Sequence, residues 1–524
     1  MRHVVVSALA GGMLLLAACP PDNAVDDGLS DAFSPVIDGA VNDRAARDAL
    51  AGDLAQRDAI PVSDRASSDT GGLDRRSDAS RDAAAAYDAV AIDTGHDAAT
   101  HDAATADHSP GWPFDAGIPA RCAANPPDTS GTAWSGWANH QWPPEVTDQG
   151  GGSVEPGETT DWVYGQVWSN GATDQVGQAA GWNAELAIGP LGTLPTGQGW
   201  CWDYLAASFN ADQGNNDEYH VQVAAAAPGL YGLYFRYRPA GGVWLYGDRN
   251  NGSSDGLQFD QAGVLMVHGW TRNRLVVATL NLRCRIDAWD QRRPLVVTAL
   301  AAIDPDLVGF EEDCAAAGGA PQSEEIRADL AALTGRGYLL WRASTHPAVY
   351  TEGTFDEGVT VMSALAIDAA RTIDLPPTPP TLPAVLQRKA VAVDLHVGST
   401  PLRFYVAHLE VGADNVATRQ GQAATLVADL PANGSAIVVG DFNAPPDEPA
   451  IETMTGALVD SWAALNPADP GLTMPASAPT RRIDYIFTSS AVAGRAVGSR
   501  ILDEHAGSVW LSDHRGIAIA VGWP

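Results

Sequence analysis

Gly440-Asp441-Phe442-Asn443, directly after an apolar run at residues 436–439, places a carboxylate and an amide two residues apart at the end of a predicted strand. Side chains two residues apart in an extended segment project to the same face, so we expect Asp441 and Asn443 to act at one site. Polar residues flank apolar runs again in Arg482-Ile483-Asp484-Tyr485-Ile486-Phe487 and in Leu511-Ser512-Asp513-His514-Arg515. Polar side chains at the ends of successive strands are typical of an α/β catalytic domain.

The sequence around these motifs alternates apolar strands with helical segments, which predicts a layered α/β domain at residues 269–524. A nearly unbroken apolar run at 274–282 predicts a buried strand. Residues 323–333 predict a helix, because they begin with a potential N-cap, carry two early Glu residues and are followed by Gly335. The other predicted elements are strands at 390–395, 402–408, 436–439 and 483–487 and a helix at 416–430.

Six motifs occur in this domain in a fixed order. They are Thr279-Leu280-Asn281-Leu282, Val308-Gly309-Phe310-Glu311-Glu312, Val406-Ala407-His408-Leu409 and the three quoted above. Taken singly, each has a structural interpretation: Asn281 could cap a turn, and His408 could be a satisfied interior histidine. Together they resemble the endonuclease/exonuclease/phosphatase superfamily, which includes deoxyribonucleases and bacterial sphingomyelinases. The resemblance covers roughly residues 269–522 and implies a four-layered α/β/β/α sandwich.

The resemblance also implies a divalent metal ion, Mg²⁺ or Mn²⁺, with Asn281, Glu312 and Asp513 as ligands. Mg²⁺ prefers a few hard oxygen ligands and retains several waters, so amide and carboxylate oxygens from separate strands suit it. Glu311 stands where the family usually has Gln, which leaves open which of the two neighbouring glutamates is the ligand. The motif position favours Glu312.

The remaining motif residues match the catalytic residues of the family. Asp441 matches the residue that orients water, and Asn443 and His408 match residues that contact phosphate. Asp484 matches the carboxylate that pairs with His514. A carboxylate that accepts from one imidazole nitrogen fixes the tautomer and raises the pKa of the histidine, so the other nitrogen can act on water or on a phosphoryl oxygen.

Three further residues are expected to have supporting roles. Arg419 and Gln422 lie three residues apart on one face of the helix after His408, and they are expected to support the sheet rather than to touch substrate. Arg482, with its neighbour Arg481, could offer phosphate contacts.

Four cysteines remain after Cys19, an even number that predicts two disulfides in an exported protein. Because Asn281 and Glu312 are implied to meet at one metal ion, Cys284 and Cys314 just beyond them are expected to lie within reach of a bridge. The alternative is a pair of buried thiols. Cys122 and Cys201 form the weaker predicted pair.

Residues 121–268 differ in character and predict an all-β Ig-like sandwich module. This part of the chain is rich in Gly, and short alternating runs such as 163–168 and 230–238 lie between turn signals. Residues 231–246 have the pattern of a hairpin with a Gly-containing loop. The many Trp residues are expected to pack in the core, with an exposed platform for a glycan as the alternative.

The N-terminal part predicts export and a lipid anchor. The apolar run at 4–16 follows Arg2 and is too short to span a bilayer, so residues 1–18 read as a signal peptide. Leu16-Ala17-Ala18-Cys19 resembles a lipobox with Cys19 as the acylated residue, and an ordinary cleavage site is the alternative. Residues 19–120, rich in Asp and Ala, predict a disordered linker.

The formal net charge of −33 excludes a nucleic-acid-binding module of the basic-patch type. The six motifs and the N-terminal segment together favour a monomeric, lipid-anchored phosphodiesterase at the cell surface or outer membrane. Its expected substrate is extracellular DNA or RNA, which it would bind at the metal site rather than through a basic patch. A lipid phosphodiesterase of the sphingomyelinase type is the first alternative. A surface protein for adhesion or glycan binding, with secondary hydrolase activity, is the second.

Overall fold

The computed structural model describes residues 131–146, 154–196, 202–224, 228–249, 257–258, 261–375, 388–432 and 434–523. The predicted signal peptide, the lipidation at Cys19, the linker and the pair Cys122–Cys201 lie outside these residues. Within the described part of the chain, no helix is long and apolar enough to cross a membrane.

The first half of the described chain consists of strands that join in one continuous sheet. They are β1 (Trp137–Trp142), β2 (Glu145–Val146), β3 (Val163–Trp168), β4 (Trp182–Pro190), β5 (Asp203–Gln213), β6 (Asn216–Val221), β7 (Gly229–Pro239), β8 (Leu245–Gly247) and β9 (Gly263–Val267). Their order is β1-β3-β6-β5-β4-β7-β9-β2, with β8 beside β7. The first half of β5 pairs with β4 and its second half with β6, so one strand passes through both halves of the sheet.

The two halves of this sheet face each other across a shared core. Val163 and Val167 of β3 belong to the same buried cluster as Leu233, Phe235 and Tyr237 of β7. A side chain at Gly165 would lie only 2.4 Å from the hydroxyl of Tyr237, so β3 and β7 approach closely. The hairpin predicted at 231–246 is confirmed by the pairing of Arg236 with Tyr246. The Trp prediction holds only in part, since Trp182 and Trp202 are buried whereas Trp142 and Trp162 are 60% and 43% exposed.

The second half contains two six-stranded sheets. The first has the order β12-β13-β11-β10-β23-β20 and the second β14-β15-β16-β17-β19-β18. The strands are β10 (Arg274–Asn281), β11 (Leu307–Ala316), β12 (Leu339–Tyr350), β13 (Gly353–Ser363), β14 (Ile367–Leu375), β15 (Arg388–Val397), β16 (Thr400–His408), β17 (Ser435–Asp441), β18 (Val459–Asp460), β19 (Asp484–Thr488), β20 (Ala496–Leu502), β21 (His505–Ala506), β22 (Val509–Trp510) and β23 (Gly516–Gly522). Strands β21 and β22 form a separate small hairpin.

Helices accompany both sheets. They are α1 (Trp289–Ile303), α2 (Gln322–Thr334), α3 (Val416–Asp429), α4 (Pro449–Thr455), α5 (Ser461–Leu465) and α6 (Ser490–Ala493). Helices α1 and α2 pack on the first sheet, and α3 and α4 pack on the second. Residues such as Val277, Val406 and Val439 fill the space between the sheets. The predicted four-layered α/β/β/α sandwich is therefore confirmed.

The predicted helices and strands match observed ones within a few residues, but several observed elements, among them α1, β12–β14 and β20–β23, were not predicted. Ser323 lies inside α2 rather than capping it, and its hydroxyl donates to Asp313 at 2.6 Å. Helix α1 was not predicted, and its sequence contains Pro294. Pro294 is the sixth residue of this helix, so it leaves the carbonyl of Asp290 without the N–H that an i→i−4 hydrogen bond would supply.

Candidate active site

The strand ends bring the predicted site residues to one edge of the two sheets. Strands β16 and β17 are parallel, with His408 opposite Asp441, and β17 is antiparallel to β19, with Asp441 opposite Asp484. Asn281 ends β10 in the facing sheet, and its side-chain amide donates to Asp441 at 3.1 Å. The motifs that are far apart in sequence therefore meet across both sheets.

Gly440 allows this meeting. It has φ +145°, and a Cβ there would lie 1.9 Å from the carbonyl oxygen of Ala407 on the neighbouring strand. Only glycine fits a position with a positive φ and such a close backbone neighbour. Asn443, two residues beyond Asp441, has φ 49°, and its N–H donates to Asp441 at 2.8 Å. This turn directs the Asn443 amide to within 3.2 Å of His408 Nε2.

A bulge in β11 separates the two neighbouring glutamates. The register with β13 shifts between Phe310 and Asp313, and Glu312 adopts φ 49°. Such a bulge re-aims a side chain that regular alternation would direct elsewhere. Glu312 thereby accepts from the Asn281 amide at 3.0 Å, whereas Glu311 is fully buried and accepts from Thr279 at 2.8 Å. The ambiguity between the two glutamates is thus resolved in favour of Glu312 as the residue that faces the site.

Glu312, His408 and Asp441 form a cluster in which one potential ligand atom from each residue lies within 4.8 Å of the others. Burial, together with the nearby Glu357, raises the pKa of Glu312 to about 7, and burial raises the pKa of Asp441 to about 6. Buried carboxylates held this close favour a cation between them. The donor set, with hard oxygens of Glu312 and Asp441 and the Asn281 side chain beside them, therefore fits a divalent metal ion.

His514, Asp484 and Asp441 form a second cluster of the same kind. His514 Nδ1 lies 3.0 Å from Asp484, and its Nε2 lies 3.8 Å from Asp441. Burial alone would lower the pKa of His514, but the charges of Asp484 and Asp441 outweigh it and raise this pKa well above its usual value. His514 therefore carries a proton on Nε2 that points towards Asp441.

His408 is in the opposite electrostatic state. Burial and the charge of Arg388 lower the pKa of His408 well below its usual value, so the ring is neutral. Arg388 lies 3.1 Å from Nδ1 and can only donate, so Nδ1 is the acceptor in this contact. Glu357 in turn accepts from Arg388 at 3.0 Å.

The sequence analysis missed Arg388 and Glu357. Both are buried charged residues on strands, β15 and β13, and neither belongs to a recognisable motif. A charged residue that begins an otherwise apolar strand is a weak signal. The role of such a residue becomes visible only when the strand order shows that it lies beside a site residue.

Three residues that were predicted to bind metal or phosphate contact other protein side chains instead. Asp513, expected as a metal ligand, accepts from Arg283, which also donates to Asp287. Arg482, expected to contact phosphate, is instead buried against Asp460 at 2.7 Å. Its neighbour Arg481 is exposed and lies against the sulfur of Met474.

Arg419 and Gln422 support loops beside the site. Arg419 forms a two-pronged contact with Glu448 at 2.6 and 2.9 Å, and it also donates to the carbonyl oxygen of Glu410. Gln422 accepts from the N–H of Glu410 at 2.9 Å. Both side chains therefore hold the segment after His408.

The disulfide Cys284–Cys314 is present, with a Cα–Cα distance of 4.8 Å. It joins the segment after Asn281 to the end of the bulged strand that carries Glu312. Both cysteines are fully buried and pack with Phe355.

Residues 278–514 match the model of the Endonuclease/Exonuclease/phosphatase family. A comparison with curated proteins finds no match. Among solved structures, a family protein from Leptotrichia buccalis C-1013-b is 18% identical, with a TM-score of 0.40, over 47% of this chain and 98% of that one.

Two other solved structures show a similar level of likeness. A family protein from Beutenbergia cavernae DSM 12333 is 23% identical, with a TM-score of 0.41, over 48% and 72% of the two chains. Danio rerio TDP2, complexed with a single-strand DNA product, is 17% identical, with a TM-score of 0.37, over 48% and 99%. The family match, whose bounds contain the site residues from Asn281 to His514, shows that residues 278–514 are a domain of the Endonuclease/Exonuclease/phosphatase family, whose members are metal-dependent hydrolases of phosphoester bonds.

Proposed function

We propose that this chain is an exported, lipid-anchored nuclease that uses Mg²⁺ to cleave extracellular DNA or RNA as a monomer. The observation that carries the catalytic part is the meeting of two clusters at Asp441. One cluster, with Glu312 and His408, suits a cation, and the other, with Asp484 and His514, suits proton transfer. The proposals of export and of a lipid anchor are based on the N-terminal sequence motif, residues 1–19, whose last residue is Cys19.

Glu312 and Asp441, with Asn281 beside them, would hold the metal ion. When bound, the ion would neutralise charge on the scissile phosphate. His514 is protonated and faces the same space, so its Nε2–H would donate to a phosphoryl oxygen as negative charge develops there. Asp441, ionised above its pKa of about 6, would accept a hydrogen bond from the attacking water and orient it in line.

Two polar groups would bind the phosphate without changing protonation. The neutral His408 offers a ring N–H, and the Asn443 amide lies beside it. Arg388 keeps His408 in this state, because it donates to Nδ1 and its charge opposes protonation. We therefore assign Arg388 as a positioning residue.

The hairpin of β12 and β13 disfavours a lipid substrate. It lies close enough to the site for the charges of Glu312 and Glu357 to act on Tyr350. Together with burial, which has the largest effect, these charges raise the pKa of the Tyr350 hydroxyl above its usual value. Its turn carries the polar Thr351 and Glu352, and the Tyr350 ring packs on Phe355, so the exposed apolar surface near the tip is limited to Val349, which is 71% exposed. A hairpin that enters a lipid surface presents apolar side chains at its tip.

The test is a substrate panel on the full chain with Mg²⁺, with Mn²⁺ and with a chelator. Plasmid DNA, RNA, sphingomyelin and an inositol phosphate are compared under the same conditions. We expect cleavage of a nucleic acid that stops with the chelator. Asp441→Asn and His514→Ala should each lower kcat by about a hundredfold or more.

His505→Ala is the matched control, because His505 is an exposed histidine stacked on Trp510 outside the site. Hydrolysis of sphingomyelin alone would replace the nuclease proposal by the lipid alternative. Full activity in both site variants would refute the catalytic roles.

A further inference from the structure

Strands β1, β3 and β6 are neighbours in the β1–β9 sheet. The face of these three strands that points away from the core carries a row of aromatic rings. Tyr164 of β3 lies directly opposite Trp142 of β1 on one side and His220 of β6 on the other. Residues opposite each other in an antiparallel pair project to the same face, so these rings share one surface. Trp162 extends the row, since its ring stacks on His220 with centroids 4.1 Å apart.

This row faces away from the core of the module. Along β3, Val163 and Val167 belong to the buried cluster, so Tyr164 between them points to the other side. The row includes two of the large apolar side chains that are most exposed among the described residues, Trp142 at 60% and Trp162 at 43%. Large rings left in water on a sheet face indicate a binding surface rather than a part of the core.

A row of polar side chains lies next to the rings on the same face. Gln166 follows Tyr164 by two residues, and its amide donates to Glu218 at 3.3 Å. Asn210 donates to the other oxygen of Glu218 at 2.6 Å, and Asn139 accepts from the N–H of Gln166 at 2.9 Å. These contacts hold the polar row rigid, and a rigid surface loses little conformational entropy when a ligand binds.

The charge of this face selects among ligand classes. The sequence contains no Lys or Arg from residue 122 to residue 235, which includes β1, β3, β5 and β6 in full. Surfaces that bind single-stranded nucleic acid combine aromatic rings with a basic groove, and anionic lipids and acidic glycans also need cations. Asn139, Gln166 and Glu218 are buried, so this face presents to solvent mainly the rings and the amide of Asn210. Such a face suits a neutral ligand rich in hydroxyl groups.

We propose that the outer face of β1, β3 and β6 binds a neutral polysaccharide, which stacks on Trp142 and Trp162. Sugar rings have apolar faces that can cover the indole rings, and their hydroxyls can pair with exposed amides such as that of Asn210. The site is separate from the catalytic residues, and the proposal does not depend on the nuclease function.

The experiment is native affinity electrophoresis of the full chain in gels that contain one soluble polysaccharide each. The neutral probes are laminarin, galactomannan, xyloglucan and amylopectin, and the anionic probes are alginate and heparin. We expect at least one neutral probe to retard the protein and neither anionic probe to do so. Trp162→Ala and Trp142→Ala should each weaken retardation by about tenfold, since a stacked ring at the centre of a binding surface contributes a large share of the affinity.

Trp341→Ala is the matched control, because Trp341 is 44% exposed but lies on β12 of the other half of the chain. Thermal unfolding of each variant shows that it is folded, independently of hydrolase activity. Absence of retardation by all four neutral probes would overturn the proposal, and so would equal retardation of the wild type and Trp162→Ala. Retardation by the anionic probes, or a dimer that only the Trp variants dissociate, would assign the face to a different partner.

Discussion

The site at the ends of β10, β11, β16 and β17 is buried and crowded with charge, whereas the outer face of β1, β3 and β6 carries exposed rings and has no Lys or Arg. In the first, burial and neighbouring charges shift the pKa values of Glu312, Asp441, His408 and His514, and shifted pKa values are what proton transfer in hydrolysis needs. In the second, rings already in water lose little when a ligand covers them. The buried charges of the catalytic site lower the stability of the fold around them, whereas the exposed rings of the aromatic face do not.

Glycine substitutions test this contrast most strongly. Gly440→Ala should destabilise the catalytic region by about 4 kcal/mol or more, since the new Cβ meets the backbone of β16 at a positive φ. Gly214→Ala, at φ +67° between β5 and β6 with nothing within 4 Å, should cost only about 1 kcal/mol. Urea unfolding of both variants measures the difference. Equal costs would mean that the strand end at Asp441 relaxes easily.

The disulfide provides the next largest effect. It closes a loop of 30 residues, and the double change Cys284→Ser/Cys314→Ser should lower the free energy of unfolding of the catalytic region by about 3–4 kcal/mol. Because Asn281 and Glu312 lie just before the two cysteines, Mg²⁺ affinity should fall as well. Calorimetry and isothermal titration with Mg²⁺ measure the two effects. An unchanged Mg²⁺ affinity would separate the bridge from the metal site.

The pH dependence of stability should follow Glu312. Its pKa is about 7 in the folded protein against an ordinary value of 4.5, so the folded state binds more protons than the unfolded state between these values. The free energy of unfolding of the metal-free protein therefore falls as pH rises from about 4.5 to 7, by about 3 kcal/mol from this group. Glu312→Gln should reduce this slope, as measured by urea titrations at several pH values. A variant with the wild-type slope would show that Glu312 titrates normally.

The smallest effect is expected on the aromatic face. Trp162→Ala should change the free energy of unfolding by less than about 1 kcal/mol, because the exposed ring contributes little to the core. Thermal unfolding measures this directly. A loss of several kcal/mol would show that Trp162 is structural, and the contrast between the two regions would then weaken.

The motif residues could be found in the sequence because polar residues at strand ends are a local pattern, and the four layers were implied by the resemblance of these motifs to the family. It could not show that a bulge turns Glu312 towards Asn281, because one residue more or less in a strand leaves no mark in composition. It also missed Arg388, and it assigned Arg482 to phosphate although Asp460 holds it. These contacts depend on strand order, which joins residues that are far apart in the chain.

The aromatic row was hidden for the same reason. Trp142, Tyr164 and His220 are spread over almost 80 residues, and only the antiparallel register of β1, β3 and β6 aligns them. Counting Trp residues suggested either a core or a platform. The fold contains both, on opposite faces of one sheet.

Strand β23 has a consequence for the timing of activity. It is synthesised after every other strand, yet it lies in the interior of its sheet, between β10 and β20, and it directly follows His514. A nascent chain that has not yet reached this strand lacks both the imidazole and the sheet that positions Asn281. The hydrolase site is therefore incomplete until β23 has joined the sheet.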